Sequence, residues 1–224
     1  MTGPGPSDED DEDDEDDEDL VWYVAYGSNL ERARLLTYLE GDRHLGPAST
    51  HDGARDRRPP LADGPEPLDL DVFFAGRSTR WDGAVAYCHH GRPADGPVLG
   101  RRWLLRRSQF EDLVRQENRH PSDLVLAWDR CRSDGHLDAL AGRYGRVVWL
   151  GERDGVPLVT ATCARPVSPE GPAGLAYLRV LARGLLEAWG LDAAEAARYL
   201  AARRGNAGWV DPVALAEALA RPVQ

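Results

Sequence analysis

The segment VWYVAYGSNLERARLL, from Val21 to Leu36, constrains the fold of this chain more than any other stretch. Its first residues are apolar and aromatic, as in a buried strand, and after Tyr26-Gly27-Ser28-Asn29 the apolar residues follow helical spacing. We therefore predict a strand over 21–26, a helix over 30–39 and a tight turn between them. The turn has two interpretations: it is a helix cap alone, or it is a pocket in which backbone N–H groups at a helix start hold a carboxylate.

The acidic residues are concentrated near the start of the chain. Residues 8–19 hold 12 of the 38 acidic residues and no basic one, which leaves 26 acidic against 27 basic residues elsewhere. Such a run cannot bury enough apolar surface to offset its ordering entropy, so we predict a disordered acidic tail over 1–19 and a single folded domain over 20–224. The tail is either solubilising or binds a basic partner. The near-neutral remainder does not indicate nucleic-acid binding.

The potential metal ligands are scattered. Cys88, Cys131 and Cys163 are far apart in sequence, and His89-His90 is the single histidine pair, whose members face opposite sides of a strand. We therefore expect no metal site, no disulfide framework and no cofactor. A secretory leader or long apolar span is not recognisable, so we expect a soluble cytoplasmic protein without a membrane partner. The sequence leaves the oligomeric state open.

The rest of the chain predicts strands first and helices last. Residues 46–70 are rich in Pro, Gly and charge, which indicates a long loop. Apolar runs predict strands over 71–76, 83–88, 98–105, 143–150 and 156–163. Helical spacing then begins at Leu175, Asp192 with Glu195 forms a capping-box pattern, and Asp211-Pro212 opens a last helix.

A short helix over 108–117 carries most of the functional information. Ser108 followed by Glu111 matches a capping box, which sets the register of the helix. In that register Glu111 and Asp112 project away from the buried face, and both carboxylates lie at the positive helix N-terminus, where they are stabilising.

The same register places a carboxylate among the buried residues. Glu117 falls on the helix stripe of Phe110, Leu113 and Val114. An ionised carboxylate is costly to bury, so such a group raises its pKa or finds a partner, and a raised pKa suits a general base that works near neutral pH. The alternative is an exposed or ion-paired glutamate in the last turn, bound to Arg115 or Arg119.

Four motifs in this order resemble the γ-glutamylcyclotransferase family. They are YVAYGSNL, FFAGRSTRWDGAVAY, VLGRRWLL and FEDLVRQEN, and a weaker match continues through RYGRVVWL and GVPLVTATC. In that family a YGSN-type loop follows the first strand, and a later helix ends in the catalytic glutamate. The resemblance implies an α+β fold, a small mixed β-barrel wrapped by helices.

The resemblance also implies a function and a site. The expected enzyme is of γ-glutamylcyclotransferase type, with metal-independent lyase or acyltransferase chemistry that cyclises a small γ-glutamyl amide to 5-oxoproline and releases an amine. Glu117 matches the catalytic acid and base. The matches to the substrate-binding residues are Tyr26, Gly27, Ser28, Asn29, Leu30 and Tyr144.

The chain also departs from the family pattern. Asn118 stands where glycine commonly follows the glutamate, and Ala84 replaces the second glycine after Trp81. Two alternatives therefore stay open. One is a non-catalytic module that binds γ-glutamyl groups on the same fold, and the other is an interaction protein that works through its acidic tail. The leaving group could be an amino acid, a polyamine, an aminoglycoside-like amine or a thiol-containing dipeptide.

Overall fold

The computed structural model of the chain describes residues 20–42, 51–89, 96 and 98–221. Within these residues the strands are Leu20–Ala25 (β1), Ala62–Leu68 (β2), Asp71–Ser78 (β3), Gly83–His89 (β4), Val98–Arg106 (β5), His136–Asp138 (β6), Arg146–Arg153 (β7) and Val156–Thr162 (β8). The α-helices are Arg32–Glu40 (α1), Arg107–Glu117 (α2), Trp128–Asp134 (α3), Leu175–Trp189 (α4), Ala193–Ala202 (α5) and Pro212–Ala220 (α6). A single 3₁₀ turn, Ser28–Leu30, joins β1 to α1.

Six of these strands form one mixed sheet in the order β2-β5-β1-β8-β7-β6. The β1–β8 pair is parallel and the other pairs in the sheet are antiparallel. The hairpin β3–β4 is a separate ladder, and the Thr162 hydroxyl links it to the sheet by bonds to the backbone N–H and C=O of Cys88. The α+β class and the mixed sheet are confirmed. In the described part of the chain they form an open sheet with a hairpin beside it, rather than one closed hydrogen-bonded barrel.

The predicted strands are found within a few residues of their expected bounds, but the predicted loop over 46–70 is partly wrong. Residues 62–68 form β2, which pairs with β5 from Ala62 opposite Leu104 to Leu68 opposite Val98. Pro65 and Pro67 are unfavourable within strands, so the sequence pattern does not indicate a strand here. They are tolerated because β2 lies at the edge of the sheet, where a strand has a hydrogen-bonded neighbour on one side only.

Helix α4 packs directly against the turn that follows β1. A Cβ atom on Gly184 would lie 2.4 Å from the Cβ atom of Leu30 and 2.6 Å from the backbone N of Glu31, so only glycine permits this approach. The predicted capping box of Asp192 and Glu195 is present at the start of α5. Asp211 likewise caps α6, with Pro212 at its first position, as expected.

The predicted N-terminal cap of α2 is wrong. The helix begins at Arg107, directly after β5, and its N-cap is Arg106, whose N–H donates to the Gln109 side chain at 3.0 Å. Ser108 therefore lies inside the first turn and does not cap it. Glu111 and Asp112, which we expected to project away from the buried face, are both buried.

The buried carboxylates of α2 belong to an ion-pair network with Arg55. Asp112 accepts from the Arg55 backbone N–H at 2.7 Å and from Arg55 Nε at 3.0 Å. Glu111 accepts from the Leu126 N–H at 2.9 Å and from Trp128 Nε1 at 3.2 Å. Both carboxylates therefore hold the 54–58 and 124–128 segments against α2, a structural role that the sequence pattern did not reveal.

Several other expectations concern single residues or the chain ends. No helix in the described ranges is long and apolar enough to cross a membrane. Cys88 and Cys131 are buried free thiols, and Cys163 is a half-buried one. His89 is the exposed last residue of β4, whereas His90 and the acidic tail over 1–19 lie outside the described residues.

Candidate functional site

A cavity of about 580 Å³ opens beside the turn that follows β1. Its walls come from that turn, from α1, from the β3–β4 connection, from the end of α2, from the segment before β7 and from α4. The residues that line it are Ser28, Arg34, Tyr38, His51, Arg77, Ser78, Thr79, Arg80, Trp81, Val85, Gln116, Glu117, Asn118, Arg119, Gly142, Arg143, Tyr144 and Tyr177. Elements distant in sequence thus contribute to one site.

Glu117, the last residue of α2, carries its carboxylate on the wall of this cavity. Its Oε1 accepts a hydrogen bond from the Tyr38 hydroxyl at 2.5 Å. Burial raises the pKa of the Glu117 carboxyl above its ordinary value, and the Tyr38 hydrogen bond and the charges of Arg34 and Arg80 offset part of this effect. The described residues include no salt bridge to Glu117, and Arg115 pairs instead with Asp112 at 3.3 Å. The predicted ion pair with Arg115 or Arg119 is therefore not the arrangement seen.

Helix α1 supplies the groups behind Glu117. Arg34 donates through one terminal nitrogen to the Tyr38 hydroxyl at 3.0 Å, and the same nitrogen lies 3.0 Å from His51 Nε2. Burial and the Arg34 charge lower the pKa of His51 to about 4, so His51 is neutral at neutral pH and can accept from Arg34. The chain of contacts from His51 through Arg34 and Tyr38 ends on the carboxylate of Glu117.

The turn after β1 contributes its backbone and one side chain. Ser28 lines the cavity, and the Gly27 carbonyl accepts from the Leu30 N–H at 3.0 Å. A Cβ atom on Gly27 would lie 3.0 Å from the Tyr177 hydroxyl oxygen, which also accepts from the Ala86 N–H at 3.4 Å. Glycine therefore lets α4 place Tyr177 against the turn, on the same cavity as Glu117.

The other three residues of the predicted binding loop lie below the cavity wall. The Tyr26 hydroxyl donates to the Ala161 carbonyl at 2.9 Å, which joins the turn to β8. Asn29 donates through Nδ2 to the Tyr23 hydroxyl at 3.3 Å, and its carbonyl accepts from Trp103 Nε1 at 2.9 Å. Leu30 is buried in the core. These residues shape the turn and do not line the cavity.

Tyr144 forms a further part of the cavity wall. Its hydroxyl donates to the Ala86 carbonyl at 2.9 Å, and its ring stacks on Tyr87 with centroids 5.2 Å apart. Asn118, the departure from the family pattern, accepts from the Tyr144 N–H through Oδ1 at 3.2 Å. The amide of Asn118 thus ties the end of α2 to this wall.

Of the seven predicted site residues, the structure brings Glu117, Ser28 and Tyr144 to one cavity, with the Gly27 backbone beside it. Sequence reasoning missed Arg34, Tyr38, His51 and Tyr177. The signal available for the first two was their spacing: they are four residues apart on α1 and so face the same way as one another. No sequence signal identified His51 or Tyr177.

Comparisons with known proteins give limited matches. No family model matches the chain. A curated Arabidopsis thaliana protein named Histone deacetylase 5 is 30% identical over an alignment of 201 residues, which covers 80% of this chain and 30% of that protein. The chain therefore spans less than a third of the length of this relative.

Two solved structures are similar in fold at low identity. A chain described as gamma-glutamyl cyclotransferase is 18% identical, with a TM-score of 0.45 over 88% of this chain and 98% of that one. An uncharacterised Homo sapiens protein is 17% identical, with a TM-score of 0.42 over 76% of this chain and 81% of that one.

Proposed function

We propose that this protein is a metal-independent enzyme of γ-glutamylcyclotransferase type, which converts a small γ-glutamyl amide to 5-oxoproline and a free amine. One observation carries the proposal: a carboxylate whose pKa is raised by burial, Glu117, shares a cavity with the turn of the YGSN motif. A base with a raised pKa and a turn rich in backbone N–H groups are the two devices that this cyclisation requires.

In the proposed reaction the substrate's α-amino nitrogen attacks its own γ-carbonyl carbon. A C–N bond closes the five-membered ring, and the γ-amide C–N bond breaks. The α-ammonium gives up two protons. Glu117 takes one and delivers it to the departing nitrogen; the other passes to solvent, and the released amine takes up a proton from solvent. No water is consumed. Because the step is intramolecular, holding the glutamyl chain folded supplies much of the rate advantage.

Tyr38 and Arg34 would set the state of the base. The Tyr38 hydroxyl occupies one oxygen of Glu117, which leaves the other oxygen for the substrate's ammonium group. The positive charge of Arg34 favours the ionised carboxylate, so Glu117 can accept a proton despite its burial. A non-catalytic binding module would have little need for a carboxylate that is costly to bury.

The turn after β1 would hold the negative charge of the substrate. Backbone N–H groups near Gly27 and Ser28 suit either the substrate carboxylate or the oxyanion that develops on the γ-carbonyl. Ser28 adds a hydroxyl on the cavity side. The proposed enzyme acts in the cytoplasm, and the proposed reaction needs no cofactor.

The test is product identification. The protein is incubated with a panel of γ-glutamyl amides, and the products are identified by mass. Release of 5-oxoproline with the free amine supports the proposal. Glutamate as the sole product would instead indicate an amidohydrolase that uses water, and binding of the panel without any product would indicate a binding module.

A further inference from the structure

The charges on the cavity wall are strongly unbalanced. Five arginines line it, Arg34, Arg77, Arg80, Arg119 and Arg143, whereas Glu117 is the one carboxylate among the lining residues that the structure describes. The glutamyl part of a γ-glutamyl amide is a zwitterion with no net charge, so it does not account for this excess. We therefore relate the excess of positive charge on the wall to the leaving amine, the other half of the substrate.

Three of these arginines form one rim of the cavity. Arg119 directly follows Asn118, and Arg143 directly precedes Tyr144. The hydrogen bond from the Tyr144 N–H to Asn118 Oδ1 therefore holds these two arginine positions near each other. Arg143 also donates to the Arg77 carbonyl at 3.2 Å. Arg119 and Arg143 are exposed, and neither has a carboxylate partner within the described ranges.

The inner arginine is already engaged. Arg34 is buried and donates to the Tyr38 hydroxyl behind Glu117. Arg77, on the rim, has a highly exposed side chain that pairs with Asp82 at 3.0 Å. Tyr38 and Arg34 occupy the side of Glu117 that faces α1, so a substrate whose γ-carbonyl lies near Glu117 directs its leaving group toward the exposed part of the cavity wall. The leaving group therefore faces Arg119 and Arg143.

We propose that the cavity selects γ-glutamyl amides whose leaving amine carries two negative charges, such as an acidic amino acid. This inference rests on the proposed function and narrows its substrate class. Polyamines and aminoglycoside-like amines are excluded on the same grounds, because their positive charges would meet an arginine rim. A neutral leaving group gains nothing from the rim.

The experiment compares two substrates of nearly equal size and shape, γ-L-glutamyl-L-glutamate and γ-L-glutamyl-L-glutamine. We expect about fivefold lower KM for the acidic compound, because the two dipeptides differ by one carboxylate and so by one exposed ion pair at the upper end of its usual strength. The preference should shrink as NaCl is raised, because salt screens exposed charges. γ-Glutamylputrescine should be the poorest substrate of the three.

The double variant Arg119→Gln/Arg143→Gln should remove the preference, so that γ-L-glutamyl-L-glutamate and γ-L-glutamyl-L-glutamine have the same KM. Arg130→Gln is the matched control, since it removes one exposed arginine charge on α3, outside the cavity lining. An equal KM for both dipeptides, or a preference that persists in the double variant, would overturn the inference and leave cyclotransferase activity intact.

Binding separates this inference from the proposed function. Calorimetric titration of Glu117→Gln with the two dipeptides measures selection without turnover. Tighter binding of the acidic dipeptide without 5-oxoproline release by the wild type would support the arginine rim and contradict the cyclisation. Equal binding would contradict the rim.

Discussion

Replacing Glu117 by glutamine tests the base and its burial together. The amide keeps the shape of the side chain and can still accept from Tyr38, but it cannot take a proton from the substrate. We expect turnover to fall by about 10²–10⁴-fold, the usual contribution of a positioned general base. This range corresponds to about 2.7–5.5 kcal/mol of barrier.

The same substitution should make the protein more stable at neutral pH. Burial raises the pKa of Glu117 in the folded chain, so the folded state favours the protonated form. That stabilising effect is complete below the pKa of the unfolded chain and is lost as the pH rises through the folded pKa. A neutral glutamine escapes the loss, so its Tm should exceed that of the wild type at pH 7, and the difference should shrink in acid.

The assay pairs 5-oxoproline release with calorimetric unfolding at several pH values. For a domain of this size about 1 kcal/mol moves the Tm by about 2–4 °C, so a modest gain is measurable. Glu217→Gln is the matched control, because it makes the same chemical change on an exposed side chain of α6. Full activity in Glu117→Gln would refute the assignment of the base, and a lower Tm at pH 7 would refute the argument from burial.

Three further outcomes are expected. Glu111→Gln should lower stability by about 1–3 kcal/mol, because it weakens a buried acceptor of Arg55; urea unfolding measures this, and an unchanged midpoint would contradict the structural role. The free energy of unfolding should fall by an amount on the order of 2–3 kcal/mol between about pH 6.5 and pH 4, because the unfolded chain protonates His51 in this range and the folded chain does not. His51→Gln should lack this loss of stability. Identical pH profiles for the wild type and the variant would contradict the contribution of His51. Truncation before Leu20 should leave Tm and turnover unchanged, since the acidic run over 8–19 has no apolar side chain that could pack on the domain. Loss of the unfolding transition would contradict this.

The sequence predicted elements with strong local patterns and missed those that depend on partners. The strand before the YGSN motif and the leucine-rich helix from Leu175 have clear periods, and both are present. β2 was missed because Pro65 and Pro67 oppose a strand locally, and only pairing with β5 stabilises it. The short helix α3 and strand β6 were also missed, since 7 and 3 residues are too few to show a period.

The same division holds within α2. The helical spacing predicted that Glu117 lies on the stripe of Phe110, Leu113 and Val114; these three residues are buried, and Glu117 is half-buried at the end of the helix. The predicted capping box is not present at Ser108, and Glu111 and Asp112 are buried, although we expected both to project away from the buried face. Arg55 lies more than 50 residues earlier in the chain, and its ion pairs with both carboxylates are what make their burial tolerable. A helical pattern shows which face a residue occupies, and it carries no information on a distant partner.

The relation between the YGSN turn and Glu117, the proposed base, depends on one helix. α1 begins immediately after the turn and carries Arg34 and Tyr38 on one face, where Tyr38 bonds to Glu117 at the end of α2. The turn, the charge of Arg34 and the hydroxyl of Tyr38 are therefore set by a single rigid element. Moving the turn relative to Glu117 would require breaking the 2.5 Å bond between Tyr38 and Glu117 or unwinding α1. The turn is thus the start of a helix that also bonds to the Glu117 carboxylate. This shared support is the physical reason why a motif near residue 27 and a glutamate at residue 117 can line one cavity.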